Sequence, residues 1–399
     1  MAPIRVGIVG LSAQPATWGQ LAHHPFLSKS PHYKIVALCN SSIASGQAAI
    51  KFYGLDPETT KAYDNYAALA TDPDIDFLII TTRADTHYDA VLPALKSPPK
   101  SLKGVYCEWP LAATTEQAKE MHDLAKKAGL KTVVGLQGRL SPTVTALRRL
   151  IQSGRFGQIH SINYHGAINV WQNNAAGAKY YYFMDKAVGG NLLTIYGGHC
   201  LDSLLYALDA ELVPGGYKPM LANLRPRMWR TGADGQVLKD EGTYEKNTPD
   251  QILLQGRVKL GDVDDGDTEG PSSDPVLSFH LRAGNRFSPT SPGSTWRIYG
   301  TKGEVVVEFA SAGPQIGAPT SMKFSNMKTG EVEDLLPEAV EGGRLDGSPD
   351  VAWTDLPTPG QNIGRIFEAY ALAKQDNYAN WGEAVKRHEL LDEFWASGM

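Results

Sequence analysis

Residues 4–13 have the sequence IRVGIVGLSA, an apolar run that breaks at Gly10. The apolar part predicts a buried strand of a parallel sheet, because strands covered on both faces carry nearly continuous aliphatic side chains. Gly10 and the next two residues predict a tight turn whose backbone approaches a phosphate, and we expect the following helix to begin with Thr17 as its N-cap. The alternative is an ordinary strand-to-helix turn, because Ser12 stands where the Gly-x-Gly-x-x-Gly fingerprint has its second glycine.

The length and charge of the chain limit its class. A chain of 399 residues is long for one hydrophobic core, so we expect two domains. The net charge of −5 and the absence of a sustained Lys/Arg cluster argue against nucleic acid as a partner, and residues 225–230 (RPRMWR) are predicted to be a solvated strand face. We find no apolar run of membrane-spanning length and expect no signal peptide, which predicts a cytoplasmic protein without a membrane partner.

The cysteines and histidines give no sign of a metal or disulfide framework. Cys39, Cys107 and Cys200 are odd in number and widely spaced, which favours reduced, buried thiols. The histidines lack metal-ligand spacing, so we expect no metal site.

The first domain is predicted to cover residues 1–140. Strands predicted at 4–9, 33–40, 75–82, 104–107 and 131–136 alternate with helical segments, which predicts an α/β fold with a doubly wound parallel sheet of the Rossmann type. We expect Asp85 or Thr86 to cap the helix after the third of these strands, and Thr114 to cap the helix after the fourth. The second strand ends at Asn40-Ser41-Ser42, where NAD-binding units usually carry an acidic residue for the ribose. Neutral side chains do not repel a 2′-phosphate, so NAD(P) is the expected cofactor and NADP is slightly preferred over NAD. No arginine adjoins residues 40–42 to bind that phosphate.

The alternation of strands with helical segments ends after residue 140. Longer alternating strands, such as the one with Leu277, Phe279 and Leu281 on one face, predict an α/β domain at 141–360 with a mostly antiparallel, open sheet. We expect a hairpin turn at 300–303 and a mobile acidic loop at 261–270. Residues 361–399 are predicted to form C-terminal helices that pack back near the first domain.

The motifs occur in a recognisable order: GLS (10–12), TTRADTH (81–87), EWP (108–110), GLQGR (135–139), IQSGRFG (151–157), GG (189–190) and HCLD (199–202). This order resembles the glucose–fructose oxidoreductase and inositol dehydrogenase family over nearly the whole chain. The resemblance implies a Rossmann domain followed by an α/β domain whose open sheet covers the nicotinamide and often forms a homodimer. It also implies NAD(P)-dependent oxidation or reduction of a carbinol or carbonyl, often on a sugar.

The turn, the strand ends and the resemblance together supply the expected site residues. Expected cofactor contacts are Gly10, Leu11, Ser12, Trp18, Asn40, Ser41, Ser42, Thr82, Arg83, His87, Glu108, Trp109 and Gln137. Expected substrate contacts are Trp109, which would wall the pocket, together with Trp171, Lys179, Tyr182 and Asp202. The expected catalytic residues are His199 and Tyr196, with Asp202 one helical turn later in a position to hold the His199 tautomer. The alternative for His199 is a buried, hydrogen-bonded histidine with a structural role.

Two departures weaken the enzymatic interpretation. The family's usual Glu-Lys-Pro is Glu108-Trp109-Pro110 here, and Ile195 stands at the position of the family's aspartate. Both changes make the chain similar to a fungal branch of this family. That branch includes the galactose-regulon repressor, which binds a dinucleotide and a transcriptional activator.

Two functions therefore stay open. The favoured one is an oxidoreductase that transfers a hydride between NAD(P) and a small carbonyl or carbinol substrate, sugar-like or from secondary metabolism. The alternative is a non-catalytic, dinucleotide-binding regulator that acts through a protein partner, for which a nuclear location is compatible.

Overall fold

A computed structural model of the chain describes residues 2–171, 174–232, 234–261, 274–311, 313–337 and 353–399, apart from the side chains of Lys179 and Thr354. The chain forms two compact units. The first unit comprises Met1–Gln137 with Leu345–Glu389, and the second comprises Gly138–Arg344 with Leu390–Met399. The first boundary between the units lies at Gln137/Gly138, whereas the sequence analysis predicted it at 140/141.

The first unit is built on a six-stranded parallel sheet with the order β3-β2-β1-β4-β5-β6. Its strands are β1 (Ile4–Val9), β2 (Tyr33–Cys39), β3 (Lys61–Tyr63), β4 (Phe77–Ile80), β5 (Gly104–Cys107) and β6 (Lys131–Val134). The order reverses between β1 and β4, so the carboxyl ends of these neighbours flank the crevice where doubly wound sheets bind ligands. The predicted Rossmann-type sheet is thus confirmed, except that the sequence analysis missed the three-residue strand β3.

Helices follow most of these strands. The α-helices of the described residues are α1 (His24–Leu27), α2 (Ile43–Phe52), α3 (Tyr66–Ala70), α4 (Ala84–Lys96), α5 (Thr115–Lys127), α6 (Pro142–Gln152), α7 (Gly198–Leu208), α8 (Thr358–Ala371) and α9 (Trp381–Ala396). Helix α5 begins as its sequence predicts, because the Thr114 hydroxyl accepts a hydrogen bond from Gln117 N–H at 3.3 Å. Within the described residues, we find no helix with the length and hydropathy to cross a bilayer.

Helix α4 begins earlier than its sequence suggests. We expected Asp85 or Thr86 to cap it, but the N-cap is Arg83. The Asp85 carboxylate instead pairs with Arg83 at 2.8 Å, and the Thr86 hydroxyl bonds to Thr82 Oγ1 at 2.7 Å.

The second unit contains an eight-stranded sheet with the order β17-β16-β15-β14-β7-β13-β12-β9. Its strands are β7 (Ile159–Ile168), β9 (Ala210–Ala222), β12 (Gln251–Leu260), β13 (Val276–Ala283), β14 (Ser294–Gly300), β15 (Gly303–Phe309), β16 (Pro319–Asn326) and β17 (Val332–Asp334). Only β7 and β13 pair in parallel among these neighbours, which confirms the predicted mostly antiparallel sheet. Leu277, Phe279 and Leu281 are at most 1% exposed, as their alternation predicts.

The predicted turn at 300–303 joins β14 to β15 as a hairpin. A second, three-stranded sheet contains β8 (Ala175–Gly177), β10 (Arg227–Thr231) and β11 (Thr243–Glu245). Most of the basic stretch 225–230 lies on β10, where the exposed Arg227 pairs with Glu245 at 3.1 Å. Residues 262–270 of the predicted acidic loop lie outside the described residues.

Candidate functional site

The predicted phosphate turn follows β1 and depends on glycine at position 10. Gly10 has φ of 94°, in the left-handed region that favours glycine. A Cβ there would lie 2.7 Å from Thr82 Cγ2 and 2.9 Å from Thr81 Oγ1. The turn therefore has room for backbone alone, which is the close-approach geometry that a pyrophosphate requires.

Two side chains from the next βα unit hold this turn. Asn40 Nδ2 donates to Leu11 O at 2.9 Å, and the Tyr53 hydroxyl donates to Ser12 O at 2.8 Å. The Asn40 carboxamide oxygen is buried and has no hydrogen-bond partner among the described residues, so a ribose hydroxyl would satisfy it. A dinucleotide thus fits the polar groups at this corner.

The other two predicted ribose contacts differ from each other. Both serines are exposed, but Ser42 is the N-cap of α2 and accepts a hydrogen bond from Ser45 N–H at 3.1 Å. Only Ser41 is therefore available to a ligand without breaking a cap.

The segment after the turn corrects one prediction. It begins with a π-helical turn at Gly19–His23 whose N-cap is Trp18, and Thr17 precedes that cap. His24 N–H donates to Gly19 O, five residues back, which is the hydrogen-bond pattern of a π-helical turn.

Glu108, immediately after β5, is the centre of a buried hydrogen-bond cluster. Its Oε1 atom accepts hydrogen bonds from Trp18 Nε1 at 2.8 Å, from His23 Nε2 at 2.5 Å and from the Tyr106 hydroxyl at 2.9 Å. A Cβ at Gly135 would lie 2.7 Å from Glu108 Oε2, so this glycine lets the carboxylate lie against the end of β6. Burial raises the pKa of Glu108, but these hydrogen bonds together with the charge of His23 outweigh burial and lower it overall. The carboxylate is therefore ionised at neutral pH.

Trp109 has a buried side chain. It is 5% exposed, and its ring centroid lies 4.9 Å from that of His388 on α9. Burial and the charge of His87 lower the pKa of His388 to about 4, so this imidazole is neutral at pH 7. The contact gives Trp109 a packing role, and its expected contacts with cofactor and substrate stay predictions.

His87 connects the ends of two neighbouring strands. Its ring nitrogens face Thr82 O at 2.8 Å, Pro110 O at 3.0 Å and Leu111 O at 3.3 Å, and burial lowers its pKa. These contacts give His87 a structural role, and its expected contact with the cofactor stays a prediction.

The remaining predicted cofactor contacts have mixed surroundings. Thr82 bonds to Thr86, and the exposed Arg83 pairs with Asp85. Gln137 is 1% exposed, and its side-chain oxygen has no partner among the described residues.

In the second unit, Asp202 forms a buried ion pair. Arg139 Nε donates to Asp202 Oδ2 at 2.9 Å and Arg139 Nη2 donates to Oδ1 at 2.8 Å, and both residues are at most 8% exposed. A bidentate arginine thus holds the carboxylate that we expected to orient His199 or to meet the substrate, and those two roles stay predictions. His199 itself lies in the first turn of α7 and is 7% exposed.

Trp171 packs against a buried lysine. It is 5% exposed, and Lys246 Nζ lies 4.8 Å from its ring centroid. Lys246 also donates to Asn223 Oδ1 and Thr248 O, and burial lowers its pKa to about 8. Trp171 thus packs against a side chain of its own unit, and its role in a substrate pocket stays a prediction.

The tyrosines predicted near the substrate surround Phe183. The ring centroids of Tyr182 and Tyr196 lie 4.7 Å and 6.1 Å from that of Phe183. Burial raises the pKa of Tyr196, which makes its hydroxyl a weaker acid. The side chain of Lys179 lies outside the described residues.

The sequence analysis did not identify His23 and Tyr106 as partners of Glu108, or Arg139 as the partner of Asp202. Their partners lie 85, 2 and 63 residues away along the chain. The Tyr106 and Glu108 side chains share one face by strand alternation, which was a usable signal. The other two pairs have no local pattern that could have identified them.

Family comparisons agree with this division of the chain. The model of the GFO/IDH/MocA oxidoreductase family, with an NAD-binding Rossmann fold, matches residues 4–136. The model of the Gal80p C-terminal domain matches residues 142–309. The fold and the nucleotide corner thus define an NAD-binding Rossmann oxidoreductase class. Within it, the chain belongs to the GFO/IDH/MocA family, in the branch whose second domain is Gal80-like.

Individual relatives include both enzymes and regulators. Dehydrogenase aclE of Aspergillus oryzae is 26% identical over 396 residues, which cover 98% of this chain and 94% of that protein. The galactose/lactose metabolism regulatory protein GAL80 of Saccharomyces cerevisiae is 30% identical over 313 residues, covering 77% of this chain and 67% of the regulator. The Gal80p structure from Kluyveromyces lactis has a TM-score of 0.79 at 26% identity and covers 99% of this chain and 89% of that chain.

Proposed function

We propose that this protein is an NAD(P)-dependent oxidoreductase that transfers a hydride between its cofactor and a small carbonyl or carbinol substrate. The substrate class we expect is sugar-like or from secondary metabolism. The observation that carries the proposal is the corner after β1, where Gly10 admits no Cβ at the point where the strand order reverses. The end-to-end alignment with a dehydrogenase, over 98% of this chain, supports catalysis as well as binding.

When bound, the nicotinamide supplies or accepts the hydride. The chain must then move a proton at the carbinol oxygen, and we assign that task to His199 because imidazole exchanges protons near neutral pH. Tyr196 is the second candidate, but its raised pKa makes it a poorer donor. Trp109 brings no ionisable group to the reaction.

The finer properties follow from smaller observations. No carboxylate stands at Asn40, Ser41 or Ser42 to repel a 2′-phosphate, which supports a slight preference for NADP. The three free, buried cysteines suit a reducing compartment such as the cytoplasm. We expect a homodimer, as the family resemblance implies.

Calorimetric titration with NADH and NADPH, followed by a turnover screen with sugars, ketones and imines, tests the proposal. We expect turnover by the natural protein, and in His199→Ala we expect turnover to be lost while cofactor affinity is retained. The exposed His160 on β7 supplies the control, and His160→Ala should behave like the natural protein. Failure to bind either cofactor would refute the proposal.

The second candidate is a regulator that binds a dinucleotide and acts through a protein partner. The specific observation in its favour is the Gal80-like second unit, together with tryptophan instead of lysine at position 109. Tight cofactor binding without turnover of any substrate would favour the regulator, for which a nuclear location is then expected.

A further inference from the structure

Several strand ends meet at one edge of the eight-stranded sheet. Strand β12 runs antiparallel to β9 and β13, and β13 runs parallel to β7, so β12 begins at the edge where β7, β9 and β13 end. Arg282 lies at the end of β13, Arg225 follows β9 and Asp250 precedes β12. Trp171, one of the expected substrate contacts, follows β7. This edge therefore brings together charged side chains from distant parts of the second unit.

Asp250 is fully buried and is shared between two cations. Its Oδ2 atom accepts hydrogen bonds from Arg225 N–H at 2.9 Å and from Lys246 Nζ at 3.4 Å, and its Oδ1 atom accepts one from Gln251 Nε2 at 3.4 Å. Arg225 Nη1 lies 3.7 Å from Oδ1, and this buried nitrogen has no hydrogen-bond partner among the described residues. Lys246 is mostly protonated at pH 7 because its pKa is about 8. One carboxylate therefore faces two cations.

Arg282 adds a third cation at this edge. Its Nη1 and Nη2 atoms donate to the backbone oxygens of Ala283 at 3.4 Å and Asn285 at 2.9 Å, and we find no ion pair for it within the part of the chain that the structure describes. Burial lowers the pKa of His280 and of His165, and the charge of Arg282 contributes to lowering both. The three cations and the one carboxylate together carry a net charge of about +2 at neutral pH.

Gly284 leaves a space that two of the guanidinium groups border. The residue has φ of 103°, in the region that favours glycine, and its N–H donates to Ile168 O at 2.9 Å and Val170 O at 3.1 Å. A Cβ at Gly284 would have Arg225 Nη2 at 3.2 Å and Arg282 Nη1 at 3.6 Å as its nearest atoms outside the flanking residues. Two cations that border one space repel each other, so a negatively charged group is favoured there.

We infer that Arg225 and Arg282 bind a carboxylate or phosphate group of a small ligand in this space. Guanidinium groups form paired, charge-assisted hydrogen bonds with both kinds of anion. Asn174 Oδ1 accepts a hydrogen bond from Arg225 Nε at 2.9 Å, which fixes the orientation of this guanidinium before a ligand binds. Such preorganisation lowers the entropy that binding costs.

The inferred anion site adjoins an expected substrate contact. Lys246 Nζ lies 3.4 Å from Asp250 Oδ2 and 4.8 Å from the centroid of the Trp171 ring, so it joins the charged edge to that tryptophan. The substrate of the oxidoreductase is then a small carbonyl or carbinol compound with an anionic group, such as a sugar acid or a sugar phosphate. This assignment to the substrate rests on the proposed function, whereas the anion site itself does not.

Calorimetric titration of the full-length protein with inorganic phosphate and with acetate tests the site. The natural protein should bind at least one of these anions, and the tighter of the two identifies the source of the anionic group. Arg282→Gln and Arg225→Gln each remove one guanidinium and should weaken binding by about tenfold or more, because hydrogen bonds to charged groups are lost. The control is Arg257→Gln, an exposed arginine towards the other end of β12, which should leave binding unchanged.

The turnover screen supplies an arm for the substrate. Sugar acids and sugar phosphates are compared with the corresponding neutral sugars. In Arg282→Gln, the KM of the anionic compounds should rise by about tenfold or more, while the KM of the neutral compounds stays unchanged. A merely structural role of Arg282 would not separate the two groups of compounds.

Thermal melting reports whether each variant is folded, and Arg282→Gln decides the test if Arg225→Gln does not fold. The inference is overturned if the natural protein binds neither anion, or if folded Arg282→Gln binds them as tightly as the natural protein does. A preference for neutral over anionic substrates would overturn the assignment to the substrate. Absence of NADH and NADPH binding is a different result, because it refutes the proposed function and does not affect the anion titration.

Discussion

Removing the Asp202 carboxylate should destabilise the second unit strongly. Arg139 donates two hydrogen bonds to this carboxylate, and the aspartate and arginine are 1% and 8% exposed. Asp202→Ala would remove the carboxylate that pairs with this buried guanidinium, and breaking a buried ion pair from one side costs about 3–5 kcal/mol. For a domain of this size, that loss lowers the melting temperature by roughly 10 °C.

The assay is thermal and urea unfolding of the full chain, with an exposed ion pair as the control. Arg227 and Glu245 are paired at 3.1 Å with side chains 73% and 76% exposed, so Glu245→Ala should cost about 0–1 kcal/mol. The double variant Arg139→Met/Asp202→Leu should recover most of the lost stability, since apolar side chains of similar size replace both charges. If Asp202→Ala unfolds within about 1 kcal/mol of the natural protein, the structural assignment of Asp202 is wrong.

Three further changes test other parts of the first unit. Gly10→Ala should weaken cofactor binding by about tenfold or more, because its Cβ would lie 2.7 Å from Thr82 Cγ2. Gly54 also has a positive φ but has open space around it, so Gly54→Ala should leave the cofactor affinity unchanged in the same titration. Ser41→Asp should lower the affinity for NADPH about tenfold relative to that for NADH, because the new carboxylate repels the 2′-phosphate. Asn65→Asp, which adds the same charge at the start of α3, should leave this ratio of affinities unchanged, and an unchanged ratio in Ser41→Asp would contradict the assigned ribose site. The pKa of His388 is about 4 in the folded protein and near 6.5 in the unfolded chain, so the unfolded state binds more protons as the pH falls below 6.5. Unfolding measurements should therefore show that about 2 kcal/mol of stability is lost between pH 7 and pH 5. His388→Gln should remove that part of the pH dependence, and an unchanged slope would show that His388 is not its source.

Local patterns were sufficient to predict most of the framework. Aliphatic runs such as 4–9 and alternation such as that at Leu277 identify strands because the side-chain period of a strand is visible within a few residues. Thr114 predicted a helix start because a cap and its partner lie three residues apart. The three-residue strand at Lys61–Tyr63 was missed because it is too short to show a period.

The environment of the candidate site could not be predicted in the same way. Trp109 packs against His388, which is far away along the chain, and no local pattern indicated this contact. Asp202 pairs with Arg139, which precedes it by 63 residues, and the sequence analysis did not identify this partner. Which partner a buried polar side chain takes depends on tertiary packing, and no local spacing encodes it.

A single-turnover experiment with a reduced cofactor deuterated at its transferable position tests the central claim most directly. The protein is mixed with this cofactor and with each ketone, sugar or imine that the turnover screen identifies, and the products are analysed by mass spectrometry. The oxidoreductase proposal predicts deuterium on the product carbinol or amine carbon, with transfer lost in His199→Ala and retained in His160→Ala. A protein that binds the cofactor tightly but transfers no deuterium to any substrate would contradict the enzymatic account and favour the regulator.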